Sequence, residues 1–347
     1  MKAAAHLLFL LVIALAVLSG PGDASAQRAA AGYRYADGAP HPVTEWGDPD
    51  LQGMWPIMHL FATPLQRNPQ YGNRRLLTDD EWQRAQGVLE AREARYQEEI
   101  KSGKMNMGHW AETTTRIGAT RLTSLISYPA DGQMPALTEK GKALVPLFRS
   151  DDTRTVFDWV DDFDAWDRCI SRGLPSSMLP FNYDNGVQIL QAPGYVVIRN
   201  EIVHEARIVP LDGRPGTGGA IRQWMGSSRG RWEGATLVVE TTNFNGRMHM
   251  LLAGIPGKPR GDWPSSPGMK ITERFSRVSA RQIDYEMTVE DPDVLTDKVT
   301  ISYPMYLDPD YRFYEYACHE GNTAVRNFIE TSRFERGLNR DGSPKQE

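Results

Sequence analysis

The chain has 347 residues, with 44 acidic and 39 basic side chains and a formal net charge of −5. That mild acidity excludes nonspecific nucleic-acid binding, which needs a basic face. About 320 residues follow the N-terminal leader, enough for one large domain or two small ones.

Residues 1–26 have the pattern of a secretory signal peptide. Lys2 gives a positive start, Leu7 to Leu18 is an apolar run too short to span a bilayer comfortably, and Ala24-Ser25-Ala26 is a small-x-small cleavage pattern. The mature chain is expected to begin near Gln27, with no Cys after the cleavage site to carry a lipid anchor. No later apolar stretch has membrane-helix length. These features read as a bacterial periplasmic or secreted protein with no membrane span after signal cleavage.

Residues 27–160 read as an N-terminal arm with one long and one short helix. Gly53-x-Trp55 resembles the opening strand of lipocalin-like barrels. Thr78-Asp-Asp-Glu81 is a capping box, and the long helix is expected to run from there to about Ile100, before Gly103. The short helix is expected from Thr138 to about Phe148. Asp151 to Asp167 carries seven Asp among Trp159, Phe163 and Trp166, which reads as a charged loop with aromatic anchors or as a cation site.

Residues 161–336 read as an antiparallel β-barrel-like domain, with strand after strand from about 186 onward. Strands are expected at 187–191, 195–209, 219–225, 229–233, 236–243, 269–278, 281–290, 298–305 and 311–318. Ile283, Tyr285, Met287 and Val289 alternate with polar neighbours at period two. Short strands joined by hairpin signals imply a mainly β fold, an antiparallel β-barrel (lipocalin-like) or a sandwich with an N-terminal helical arm. Residues 337–347 are expected to be a disordered tail. The chain's two cysteines, Cys169 and Cys318, are expected to form a disulfide in an oxidising compartment.

The candidate chemistry begins on the expected strand Val196–Val209. Period two puts Asn200 and His204 on an otherwise apolar, inward face. Glu201 and Arg207 fall on the other face, roughly 20 Å apart if the strand is extended. His204 is either a satisfied core histidine or a ligand-binding or catalytic group. Arg222 to Gly234 holds Trp224, Arg229 and Trp232, either a structural hairpin or a clamp with Arg stacked on Trp. Asn243 and His249 begin a long loop, running to about Met269, that reads as a lid. His204, His249 and His319 would form a three-His metal site only if the fold brought them together, so no metal and no organic cofactor is expected. Tyr316, His319 and Glu320 lie beside Cys318, with His319 and Glu320 either an acid–base pair or exposed strand-end residues. The chain lacks GxSxG, phosphate-loop, GxGxxG and HExxH motifs.

Several motifs in order resemble a large group of secreted bacterial proteins of uncharacterised activity. They include Arg168-Cys169, Gly173-Leu-Pro175, Glu201-x-x-His204-x-x-Arg207, Trp224-Met-Gly226, Gly230-Arg-Trp-Glu-Gly234, Thr272-Glu-Arg-Phe275 and Tyr314-Glu-Tyr-Ala-Cys-His-Glu-Gly-Asn322. The resemblance covers about residues 160–335. It implies a β-rich fold and export, and brings no catalytic residue with it.

Three functions follow as expectations. The first is a binder of a small aromatic, apolar or glycan-like ligand, oriented by Asn200, His204 and Trp224, with Arg229, Trp232, Asn243, His249 and Tyr316 lining the site. The second is a cofactor-independent lyase, isomerase or hydrolase. In it His204 works with Glu201 or Glu320, and Arg207 or Arg229 stabilises an anion. The third is a structural envelope protein.

Overall fold

The computed structural model describes residues 32–104, 120–148, 155–252 and 254–345. The leader at 1–26 lies outside them, as does the start of the acidic run at 151–154.

Alternation decides most of the architecture. Apolar residues at every second position need one buried face, and two-residue separators allow tight antiparallel returns. The clearest case is β10 (Lys270–Ser279), β11 (Gln282–Glu290) and β12 (Val299–Tyr306). Ile283, Tyr285, Met287 and Val289 are all buried. These strands join β2 (Ile126–Tyr128), β6 (Ser227–Glu233) and β7 (Thr236–Thr242) in a six-stranded sheet of order β2-β12-β11-β10-β7-β6. A four-stranded sheet has β1 (Gly53–Met54), β3 (Val187–Ala192), β4 (Tyr195–Asn200) and β5 (Ala206–Pro210) in order. A short ribbon pairs β8 (His249–Leu251) with β9 (Trp263–Pro264). All pairings between these strands are antiparallel, and the protein is mainly β.

The helices follow their capping signals. α1 (Asp79–Ser102) starts at the Thr78–Glu81 capping box and stops at Gly103, whose positive φ of 67° closes the last turn. α2 (Glu139–Leu144) is capped by the Thr138 side chain and tightens into a 3₁₀ turn that ends before Phe148.

The structure departs from the sequence reading in four places. The expected strand 195–209 is a hairpin: the chain reverses through a 3₁₀ turn at Ile202–His204, with Val203 and His204 at positive φ. β4 and β5 are its two arms, and Ile198 lies opposite Arg207. The expected strands 219–225 and 311–318 do not form; both segments are turns and irregular backbone. A third helix, α3 (Ala324–Glu335), was not anticipated; Phe328 and Ile329 pack it on Phe157 and Phe163. Residues 337–345 fold back through an isolated Leu338–Pro344 bridge rather than trailing as an open tail.

The N-terminal segment is not a separate arm either. β1 pairs with β3, and β2 pairs with β12. Leu51, Trp55, Leu60, Leu65 and Leu125 are fully buried in the same core as the strand residues. Their burial there removes from water apolar surface that the strand residues cover.

Candidate functional site

The hairpin redistributes the Glu201–His204–Arg207 motif. Residues across a reversal do not keep the parity of one straight strand. Arg207 therefore turns inward beside Ile198. It is fully buried and ion-pairs with Glu273 on β10 through both guanidinium nitrogens, and Tyr285 donates to the same carboxylate at 2.8 Å. Glu201 is also buried. It accepts from the Gly186 amide (3.1 Å), the Tyr311 hydroxyl (2.5 Å) and the Tyr314 amide (2.8 Å). His204 is exposed on the turn, its Nδ1 3.2 Å from the Tyr316 carbonyl oxygen. The inward His204 expected from a straight strand is corrected by that reversal. Asn200 does face inward, where its amide donates to the Ser177 carbonyl at 2.9 Å.

The other sequence candidates separate as well. Trp232 packs at the edge of the main core, and Trp224 packs against Ala165, Met248 and Leu252. No Arg of the 222–234 segment stacks on either Trp among the described residues. Arg229 donates to the Ser228 and Pro215 carbonyls, and Arg231 pairs with Glu233 and Glu240. Asn243 donates to Thr217 and shapes a turn at φ 59°. Glu320 and His319 are exposed, and Tyr316 stacks on Tyr183. Among the described residues no three His, Cys, Asp or Glu groups are arranged to hold a metal ion, so the three-His arrangement does not form. Cys169 and Cys318 are disulfide-bonded.

One candidate, His249, stands in a pocket of about 540 Å³. Leu144, Leu147 and Phe148 from the end of α2, Phe163, Asp164 and Arg168 from the acidic segment, and Trp224, Arg247 and His249 line it. The β8–β9 ribbon brings Asp262, one residue before β9, beside His249: its Oδ1 lies 3.3 Å from the imidazole Nε2. That is a close contact without hydrogen-bond geometry, and neither ring nitrogen has a hydrogen-bond partner among the described residues. The ring is 4% exposed, and Phe148 meets it edge-on at 5.2 Å between centroids.

Asp164 is the buried carboxylate here. Its Oδ1 accepts from the Trp166 and Asp167 amides, both at 2.8 Å, in a local Asx turn. Burial pushes its pKa above the usual carboxylate value, and the nearby Asp262 charge adds to this; the two amides and His249 oppose it. His249 and Asp164 line the pocket and Asp262 stands beside the imidazole, an arrangement able to accept a proton at one group and supply one from another.

The sequence reading named His249 and missed Asp164, Asp262 and Phe148 as its neighbours. The long 245–269 loop and the acidic run were the available signals, but neither indicates that they meet. In comparisons with family models, curated proteins and solved structures, nothing matches this chain.

Proposed function

We propose that the protein is an exported enzyme that performs acid–base chemistry on a small molecule in the His249 pocket, without an organic cofactor. One observation carries this reading. A buried histidine, with both ring nitrogens free of protein hydrogen bonds and a carboxylate at 3.3 Å, lines a pocket large enough for a small ligand. Leaving such nitrogens unsatisfied costs about 1–3 kcal/mol each, a cost that substrate groups would relieve. His249 takes the substrate proton as general base. Asp262, its Oδ1 3.3 Å from Nε2, stabilises the imidazolium that forms. Asp164, a buried carboxyl on the pocket wall, supplies a proton to the departing or rearranged group when it enters the cycle protonated.

Export is supported by the leader pattern, by the disulfide, which suits an oxidising compartment, and by the resemblance to secreted proteins. Among the described residues, no helix is long and apolar enough to cross a membrane. We read the two large sheets as one rolled, barrel-like unit. A Cβ at Gly230 on β6 would meet Val209 at 2.8 Å and Leu211 at 2.6 Å, so β5 and the residue after it abut β6 closely. On the opposite side the Asp308 amide donates to the Met54 carbonyl at 2.9 Å.

The apolar walls of the pocket also suit a binder without turnover. Small-molecule extracts incubated with the protein and followed by mass spectrometry separate the two. The expected result is a compound consumed by the wild type and spared by His249→Ala and Asp262→Asn, with rates down about 10²–10⁴-fold. A compound retained but never transformed would sink the enzyme reading in favour of the binder.

A further inference from the structure

The polar lining of the His249 pocket carries an uneven charge. Arg168 is neutralised by Asp161, its Nη1 2.9 Å from the Asp161 Oδ1. Asp164 and Asp262 lie within electrostatic reach of His249 and of each other. Arg247 remains. It is exposed at the pocket, and no ion pair or side-chain hydrogen bond engages its guanidinium among the described residues. Arg247 and His249 both line the cavity, whereas Met248 between them packs away against Gly173 and Leu252. A cationic rim group and the proton-transferring ring therefore stand two residues apart on one segment. Leu144, Leu147, Phe148 and Trp224 supply the apolar part of the lining.

From this we infer that the substrate is an organic monocarboxylate with an aromatic or branched apolar body, its carboxylate bound by Arg247. The inference rests on reading the His249 pocket as the site of chemistry. A planar guanidinium matches a carboxylate with two parallel hydrogen bonds. Arg247, with no ion pair among the described residues, is able to pair with one carboxylate. A dianion such as a phosphate monoester would leave a second charge beside Asp161, Asp164 and Asp262. The apolar body fills the space between Phe148 and Trp224, beside the imidazole.

The test uses the mature protein and three probes: 3-phenylpropanoate, its neutral amide, and phenyl phosphate. Tryptophan fluorescence reports affinity, and the His249 ring signals in NMR report location. The carboxylate is expected to bind at least tenfold more tightly than the amide or the phosphate and to shift the His249 signals. Arg247→Gln should remove that preference while leaving amide binding unchanged, and Arg247→Lys should restore part of it. Equal binding of carboxylate and amide overturns the inference. So does carboxylate binding that leaves the His249 signals in place, because the ligand then sits elsewhere. These outcomes are independent of turnover. If His249→Ala spares turnover but the carboxylate preference stands, the acid–base reading fails and the ligand class survives.

Discussion

Asp184 is a residue whose surroundings oppose its charge. It lies half-buried at φ 52°, close enough to the Glu201 carboxylate to feel its charge. Burial first, and Glu201 second, raise its pKa from the ordinary 3.8 to about 6. A carboxyl group that binds its proton more tightly in the folded state stabilises the fold at low pH. That contribution is complete below about 3.8 and is lost as pH rises through about 6. Asp184→Asn is neutral at every pH, and Asn tolerates a left-handed backbone. The variant should match the wild type at pH 4 and exceed it at pH 7.5. The gain should be on the order of 1 kcal/mol, less than the full shift implies because the side chain is partly solvated. Urea unfolding at the two pH values checks this; equal destabilisation at both would mean the carboxylate is needed for a bond and not opposed as a charge. Nothing in the sequence marks Asp184, because its pKa depends on Glu201, which becomes a close neighbour only after β3 and β4 pair. The composition of the motif around Glu201 was legible, and its partition was not. Two residues at positive φ, Val203 and His204, convert a strand into a hairpin, and neither residue type announces that conformation.

Between elements, one buried contact joins the two large sheets. Arg207 on β5 and Glu273 on β10 lie far apart in sequence and pair where both side chains are at most 3% exposed. Glu273 also accepts from Tyr285 on β11, so three strands meet at one carboxylate. Breaking such a pair from one side leaves a charge without its partner in a low-dielectric interior, at a cost of about 3–5 kcal/mol. Arg207→Met should therefore destabilise by that amount. Arg207→Met combined with Glu273→Met should recover most of the loss, since well-packed apolar replacements of buried pairs are often nearly neutral. A denaturant double-mutant cycle measures the coupling, and additive losses would sink the assignment. The strands were legible wherever alternation ran uninterrupted, as in β10 to β12. Their partners across the core were not, because period two identifies a face and leaves open what lies opposite it. α3 escaped for a related reason. Its apolar stripe is short, and it is helical in a region where strand signals dominate.

At the scale of the whole molecule, the Cys169–Cys318 bond connects the pocket to the Glu201 cluster. Cys169 lies between Arg168 and Ile170, both of which line the His249 pocket. Cys318 lies in the irregular segment whose Tyr311 and Tyr314 bind Glu201. The pairing was legible from two cysteines behind an export leader; its connection to a pocket was not, because the acidic run and the 245–269 loop meet only in the folded chain. The sequence separation of 149 residues makes the bond a strong restraint on the unfolded chain, about 4–5 kcal/mol in the chain-entropy model. A restraint of that kind alone would slow hydrogen exchange through global unfolding in every core amide equally. The fold adds a local term. Residues 160–172 have little regular secondary structure to hold them, with one 3₁₀ turn and a few side-chain bonds such as those to Asp162 and Asp164. Cys169→Ser combined with Cys318→Ser should therefore accelerate exchange in β10 to β12 by one common factor. It should accelerate exchange in residues 160–172 by a distinctly larger one, with probe binding at the pocket weakened in parallel. A single factor throughout would mean that the bond acts only on the unfolded chain and that the pocket wall holds itself. A larger factor at 160–172 would make the oxidised state of this cysteine pair a condition for the geometry around His249.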